Sequence, residues 1–259
     1  MIDTGFLLQF QVFLLVLARI FGMLVFAPFF SSLTIPFRAR AILAFFVALI
    51  MVSLALDASI RPELSLLPFV MQFIGELLIG IALGFIVAVY FATFSFAAEL
   101  FNVQMGLSIS NVFDPQAQIE VPVIGQFFSL FAILIFLGVG AHHHLLNGIW
   151  SSYTTLPVLE LSTAAGPFAQ GAASAFVAMF GAALKIALPM ISVAFLISLS
   201  MGILGKTAPQ LNLLMLGFPI QIMAGLAVMV TCLPFIFRFM GTVISQSIHF
   251  AMRVMGAPT

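Results

Sequence analysis

The chain has 259 residues, of which 63% are hydrophobic and 6% charged, with eight basic and eight acidic side chains that cancel. A soluble domain carries roughly 25% charged residues and cannot hide this much apolar surface, so the composition predicts an integral membrane protein or a subunit buried in a membrane-associated assembly. The balanced charge leaves no electrostatic footprint for nucleic acid and no polybasic arm for anionic lipid, and the lone Cys232 excludes an internal disulfide.

Phe6 to Ala27 is the first apolar run, with Arg19 as its only charge. It is long enough to cross a bilayer core, because about 20 residues at 1.5 Å rise span roughly 30 Å. No Lys or Arg precedes it and Phe26-Ala27-Pro28 is a poor cleavage site, so the segment is expected to be retained rather than removed as a secretory signal. Pro28 to Arg40 reads as a connector, and Ala41 to Leu56 as a second apolar run, short for a conventional span. Asp57 to Pro68 is a polar break before a third segment, Phe69 to Ala98, which carries Glu76. Within it Gly80, Gly84, Ala88 and Ala92 form a small-residue ladder at every fourth position, a narrow face on which another backbone can approach closely.

The run Met105-Gly106-Leu107-Ser108-Ile109-Ser110-Asn111-Val112-Phe113-Asp114-Pro115 is a polar, Gly- and Pro-punctuated break in an otherwise apolar protein. Backbone that leaves helix in apolar surroundings survives only where protein or a water-filled cavity satisfies it, so this loop is the leading functional candidate. Phe113 and Met105 can fill a narrow lumen, Gly106 allows a tight backbone path, and Asp114-Pro115 favours a turn.

Val121 to Ala141 is a fourth apolar candidate, ending at His142-His143-His144. Three consecutive histidines on a helix fan over about 200°, and only i, i+3 or i, i+4 pairs share a face, so a helix end with imidazoles near free carbonyls is expected rather than a metal site. Ser151 to Pro167 reads as a loop, Phe168 to Leu204 as one long stretch bent at Pro189, and Leu211 to Met252 as a stretch that Pro219 and Pro234 keep from being one straight helix. Met179, Met190 and Met201 recur at eleven residues and would share a stripe on a continuous helix.

The pattern therefore predicts an all-α protein of about six hydrophobic blocks, without strand-like alternation or a strong repeat. Orientation is left open: Arg38 and Arg40 against Glu99, Asp114 and Glu120 point one way, Arg238 and Arg253 the other. Charges in apolar surroundings cost roughly 2.5 to 3.5 kcal/mol on insertion scales, so Arg19, Glu76, Glu99 and Lys185 each need a partner, water or an interface, and Glu76 and Lys185 are expected to face protein. No nucleotide-binding G-x-x-x-x-G-K-[ST] loop occurs, and Ser and His are too scattered for a triad, so neither an enzyme nor a cofactor is expected. A solute transporter would require paired, similarly interrupted halves, which the sequence lacks.

Four stretches carry a family resemblance: Pro28 followed by Ile35-Pro36-Phe37-Arg38; Gly75-Glu76 with Gly80; Gln104-Met105-Gly106-Leu107 leading to Asp114-Pro115; and Gly205-Lys206-Thr207-Ala208-Pro209-Gln210-Leu211-Asn212 followed by Gly217-Phe218-Pro219. In this order they resemble the FliR/SctT family of type III export-gate subunits, the flagellar branch ahead of the virulence branch. Lys206 stands where the family usually has Arg, which keeps the charge and loses a bidentate fork. The resemblance implies one subunit over residues 1–259, built of bent helical hairpins and present in one copy with FliP and FliQ. It would contact FlhB in the bacterial inner membrane at the flagellar basal body, in a channel for unfolded proteins. It further implies that the region 104–122 supplies the plug that closes the pore. Subunit interfaces are expected at Glu76, Gly80, Gly84, Ala88, Lys185, Lys206, Pro209, Gln210, Gly217, Phe218 and Pro219.

Overall fold

The computed structural model describes residues 4–31, 35–57, 62, 65–107, 123–155, 161–208, 210 and 213–254. Among them the chain forms seven helices and no strand: α1 Thr4–Phe26, α2 Phe37–Asp57, α3 Leu66–Gln104, α4 Val123–Gly138, α5 Ala141–Thr155, α6 Leu161–Thr207 and α7 Leu213–Val254. Four stretches are long and apolar enough to cross a membrane: Phe6–Phe26, Leu66–Gln104, Phe168–Thr207 and Met215–Val254. The protein is an all-α membrane protein.

The boundaries follow from local chemistry. Pro36 opens α2, its carbonyl accepting from the Ala39 N–H at 2.9 Å, and the fixed proline φ suits a first turn. Arg38 and Arg40, expected in the connector, therefore lie in α2, where the Arg40 guanidinium reaches back to the carbonyls of Ile35 at 3.0 Å and Ser31 at 3.3 Å. Ser65 precedes α3, and its carbonyl accepts from the Phe69 N–H at 3.1 Å. Pro68 falls in the first turn, where no intrahelical N–H is required, so the break expected to run to Pro68 ends earlier.

Two further expectations are corrected. The histidines stand at the start of a helix, α5, rather than at the end of one. Gly140, at φ 67°, turns the chain between α4 and α5, and its carbonyl accepts from the His143 N–H at 2.9 Å. The loop expected from Ser151 to Pro167 is helical through Thr155 and again from Leu161. At Pro189, Pro219 and Pro234 the helical assignment continues without interruption, so α6 and α7 each form one element of 47 and 42 residues.

The chain divides into two compact units. The first comprises residues 1–90, 136–176 and 244–259. There α1 and α2 form a hairpin joined by edge-on aromatic pairs, Phe13 with Phe45 at 5.4 Å and Phe21 with Phe37 at 5.5 Å between ring centroids. The second comprises residues 91–135 and 177–243. Its core holds Phe94, Phe101, Phe128, Met190 and Met240, with Phe101 edge-on to Phe128 at 5.4 Å and Phe131 stacked on Phe237 at 4.6 Å. Of the methionine stripe, Met179 and Met190 are buried and Met201 is half-buried.

Candidate functional site: a buried ion pair and the base of the loop after α3

In the first unit, the only charge of the first apolar run finds the charge of the third. Arg19 is 0% exposed and Glu76 1%. The guanidinium donates through Nε to Glu76 Oε2 and through Nη2 to Oε1 at 2.9 Å, a two-pronged pair that fits the planar fork to the carboxylate. Nη1 donates to Ser152 Oγ at 2.8 Å, and that hydroxyl in turn donates a hydrogen bond to the Ile149 carbonyl at 2.6 Å. Arg19 Cζ lies 4.0 Å over the Tyr153 ring. Three helices, α1, α3 and α5, thus converge on one satisfied charge pair.

Sequence spacing explains the convergence. Glu76, Gly80 and Gly84 recur every fourth residue on one face of α3, and Gly22 lies one turn past Arg19 on α1. A Cβ at Gly80 would strike the Arg19 carbonyl oxygen, one at Gly84 would lie 2.5 Å from the Met23 oxygen, and one at Gly22 would strike the Leu77 oxygen. Each obstacle is backbone. The glycines on both helices let the main chains touch, and that approach brings carboxylate and guanidinium within bonding range.

In the second unit, two of the sequence motifs meet. Met105 and Gly106 follow α3, with Gly106 at φ 73°, a left-handed conformation that side chains other than glycine's disfavour. Phe218, from the Gly217-Phe218-Pro219 motif of α7, lays its ring edge on Gly106: a Cβ there would sit 2.7 Å from Phe218 Cδ1 and 2.8 Å from Cε1. One turn further along α7, Gln221 Nε2 donates to the Gln104 carbonyl, a group at the end of α3 with no intrahelical N–H to serve it. Met105, 1% exposed, drops its side chain against Gly225, where a Cβ would lie 2.7 Å from Met105 Cε.

The remaining candidates are distributed differently. Ser108 to Pro115 and Pro209 lie outside the described residues, and Leu107 is 36% exposed. Lys185, Lys206, Gln210 and Pro219 are exposed, and Gly217, Phe218 and Ala88 half-buried. Glu76, Gly80 and Gly84, expected at a subunit interface, are buried in contacts made within this chain. Sequence reasoning missed Ser152, Tyr153, Gly22, Gln221 and Gly225. The first two were legible, because Ala141, Leu145, Ile149, Ser152 and Tyr153 trace one buried helical face. Gln221 carries no such signal. Among the described residues, no group of three or more His, Cys, Asp or Glu is arranged to hold a metal ion.

The model of the family "Bacterial export proteins, family 1" matches residues 10–247. The chain is 36% identical over 242 residues to the flagellar biosynthetic protein FliR of Bacillus subtilis strain 168, covering 93% of each chain. It is 30% identical to that of Escherichia coli K12, covering 86% of this chain and 84% of the relative, and 29% identical to that of Aquifex aeolicus VF5, covering 90% and 86%. With a match across nearly its whole length, the chain belongs to family 1 of the bacterial export proteins and, within it, to the FliR flagellar biosynthetic proteins, a membrane component of flagellar export.

Proposed function

We propose that this chain is a core subunit of the flagellar type III export gate, one copy assembled with FliP and FliQ and in contact with FlhB. In the inner membrane at the basal body the assembly forms the channel for unfolded flagellar proteins. The segment Met105 to Pro115 closes that channel from within, with Met105 and Gly106 at its fixed base and the apolar side chains of Leu107, Ile109, Val112 and Phe113 as the seal. Residues 1–259 act as one subunit.

The observation that carries the multi-subunit part of this reading is the length of apolar surface on α6. Its exposed large side chains run from Phe176 to Leu204, 29 residues whose 28 rises of 1.5 Å span about 42 Å. A hydrocarbon core of roughly 30 Å accommodates about 39 Å of helix even at a tilt near 40°. Lys185 is exposed within this same stripe, between Leu184 and Leu188, where lipid would charge roughly 2.5 to 3.5 kcal/mol for an ammonium. On α7, only 11% of the most apolar 18-residue segment is buried. Neighbouring subunits on these helices resolve both problems, and Lys185, Lys206, Pro209, Gln210, Gly217 and Pro219 are the residues we assign to them.

The test has two readouts. Native mass spectrometry of the tagged chain co-expressed with its partner export proteins is expected to show one copy with several copies of two other small membrane proteins; a solitary monomer or a homodimer under those conditions refutes the assembly. Deletion of Ser108 to Phe113 is expected to raise ion conductance through the assembled complex. Unchanged conductance with intact assembly refutes the seal.

A further inference from the structure

We infer that Phe218 and Gln221 of α7 are positioning residues that tie down the base of the loop following α3, a role that rests on the reading of that loop as the channel seal. The tie has three parts, all within one unit. Phe218 presses its ring edge on the one backbone position, Gly106, that has no side chain to resist it. Gln221 occupies the carbonyl of Gln104, the last residue of α3. Met105 is enclosed against Gly225, itself buried on α7.

These contacts act on direction as well as stability. Gly106 at φ 73° sets the course on which the chain leaves α3, and because glycine takes many other dihedrals at little cost, neighbouring contacts must hold this one. Phe218 and Gln221 do so from opposite ends of a four-residue stretch. The spacing i, i+3 puts both on one face of α7. Gln104 to Gly106, from which the loop departs, are therefore anchored to a helix distant in sequence. Loosening the anchor frees the seal without removing any of its residues.

The experiment uses the full chain co-expressed with its partner export proteins in cells lacking the native copy. Phe218→Ala and, separately, Gln221→Leu are compared with Phe218→Leu and with the deletion of Ser108 to Phe113. Phe218→Ala is expected to raise ion leakage about tenfold, the scale on which loss of a packed aromatic contact shifts a local equilibrium. Gln221→Leu should raise it less, and Phe218→Leu, which refills the contact, should restore it, with assembly unchanged. A purely structural role would lower the amount of assembled complex without raising leakage per complex.

If the deletion leaks while Phe218→Ala and Gln221→Leu stay at the wild-type level, the tie is refuted and the seal stands. If the deletion does not leak, the seal is refuted, and the tie is judged by maleimide labelling of Leu107→Cys in a Cys232→Ser background. A labelling rate about tenfold faster with Phe218→Ala then upholds the tie, and an unchanged rate overturns it.

Discussion

Glu76→Leu is expected to destabilise the folded chain by about 3 to 5 kcal/mol, because removing one partner of a buried ion pair strands the other. Arg19 is 0% exposed, so its charge has no route to water once Glu76 is gone, and its other contacts include one neutral hydroxyl and one aromatic face. Arg19→Ala should cost as much, leaving the Glu76 carboxylate unpaired and opening a cavity between α1 and α5. The double variant Arg19→Met with Glu76→Leu separates charge from packing. Both charges are then gone, Ser152 keeps its bond to the Ile149 carbonyl, and the two apolar side chains fill comparable volume. A buried pair replaced as a unit by apolar residues is often neutral, so the double variant should recover most of the stability that either single change removes. The measurement is the yield and thermal unfolding midpoint of the purified chain in detergent. Single variants as stable as the wild type would mean that the charges reach water or another partner, and the convergence of three helices on this pair would lose its energetic meaning.

That pair also shows where sequence reading stops. Arg19 and Glu76 each stood out as expensive charges in apolar runs, and each was expected to need a partner, but 57 positions separate them. Periodicity reports the face of a helix and says nothing about which other helix meets it. The long apolar runs declared themselves: Phe6 to Ala27 anticipates Thr4–Phe26 to within two residues at either end. α5 did not, because its outward face carries His143, His144 and Asn147 and the run falls below the hydrophobicity by which the other helices were recognised. Its inward face was nevertheless regular, from Ala141 through Leu145 and Ile149 to Tyr153. Pro68, expected to close a polar break, lies in the first turn of α3, which loses no hydrogen bond to it, and Pro189, Pro219 and Pro234, expected to bend their stretches, sit inside helices that continue past them because a packed helix tolerates one lost hydrogen bond.

At the loop base the motifs were legible and their meeting was not. Gln104 to Leu107 and Gly217 to Pro219 were singled out separately, and only the fold lays Phe218 on Gly106. The glycine itself was the readable half of that contact. A glycine at the end of a long helix marks a left-handed exit, but the aromatic ring that exploits the missing Cβ sits more than a hundred residues away.

Gly80→Ala carries the second large effect, and its size follows from what a single methyl would meet. Overpacking a core usually costs about 1 to 3 kcal/mol because neighbouring side chains rotate away. Around Gly80 no neighbour can rotate, since the nearest atoms are the Arg19 carbonyl oxygen, the Arg19 carbonyl carbon at 2.8 Å and the Met23 nitrogen at 3.0 Å, all main chain of α1. Relief requires α1 to move bodily from α3, and Gly22 and Gly84 make the same demand on either side of the contact. Displacement also lengthens the bonds between Arg19 and Glu76, so the packing cost and the electrostatic cost arrive together. We expect a loss of about 3 kcal/mol or more, at or above the upper end of ordinary overpacking. Gly181→Ala is the matched control, because nothing lies within 4 Å of a Cβ there, and an exposed helix position gains up to about 1 kcal/mol from alanine. If the thermal midpoint of the isolated chain falls for Gly80→Ala and holds or rises for Gly181→Ala, the close approach of α1 and α3 sets the stability of the first unit. Equal behaviour of the two variants would require the helices to lie farther apart than the ion pair permits.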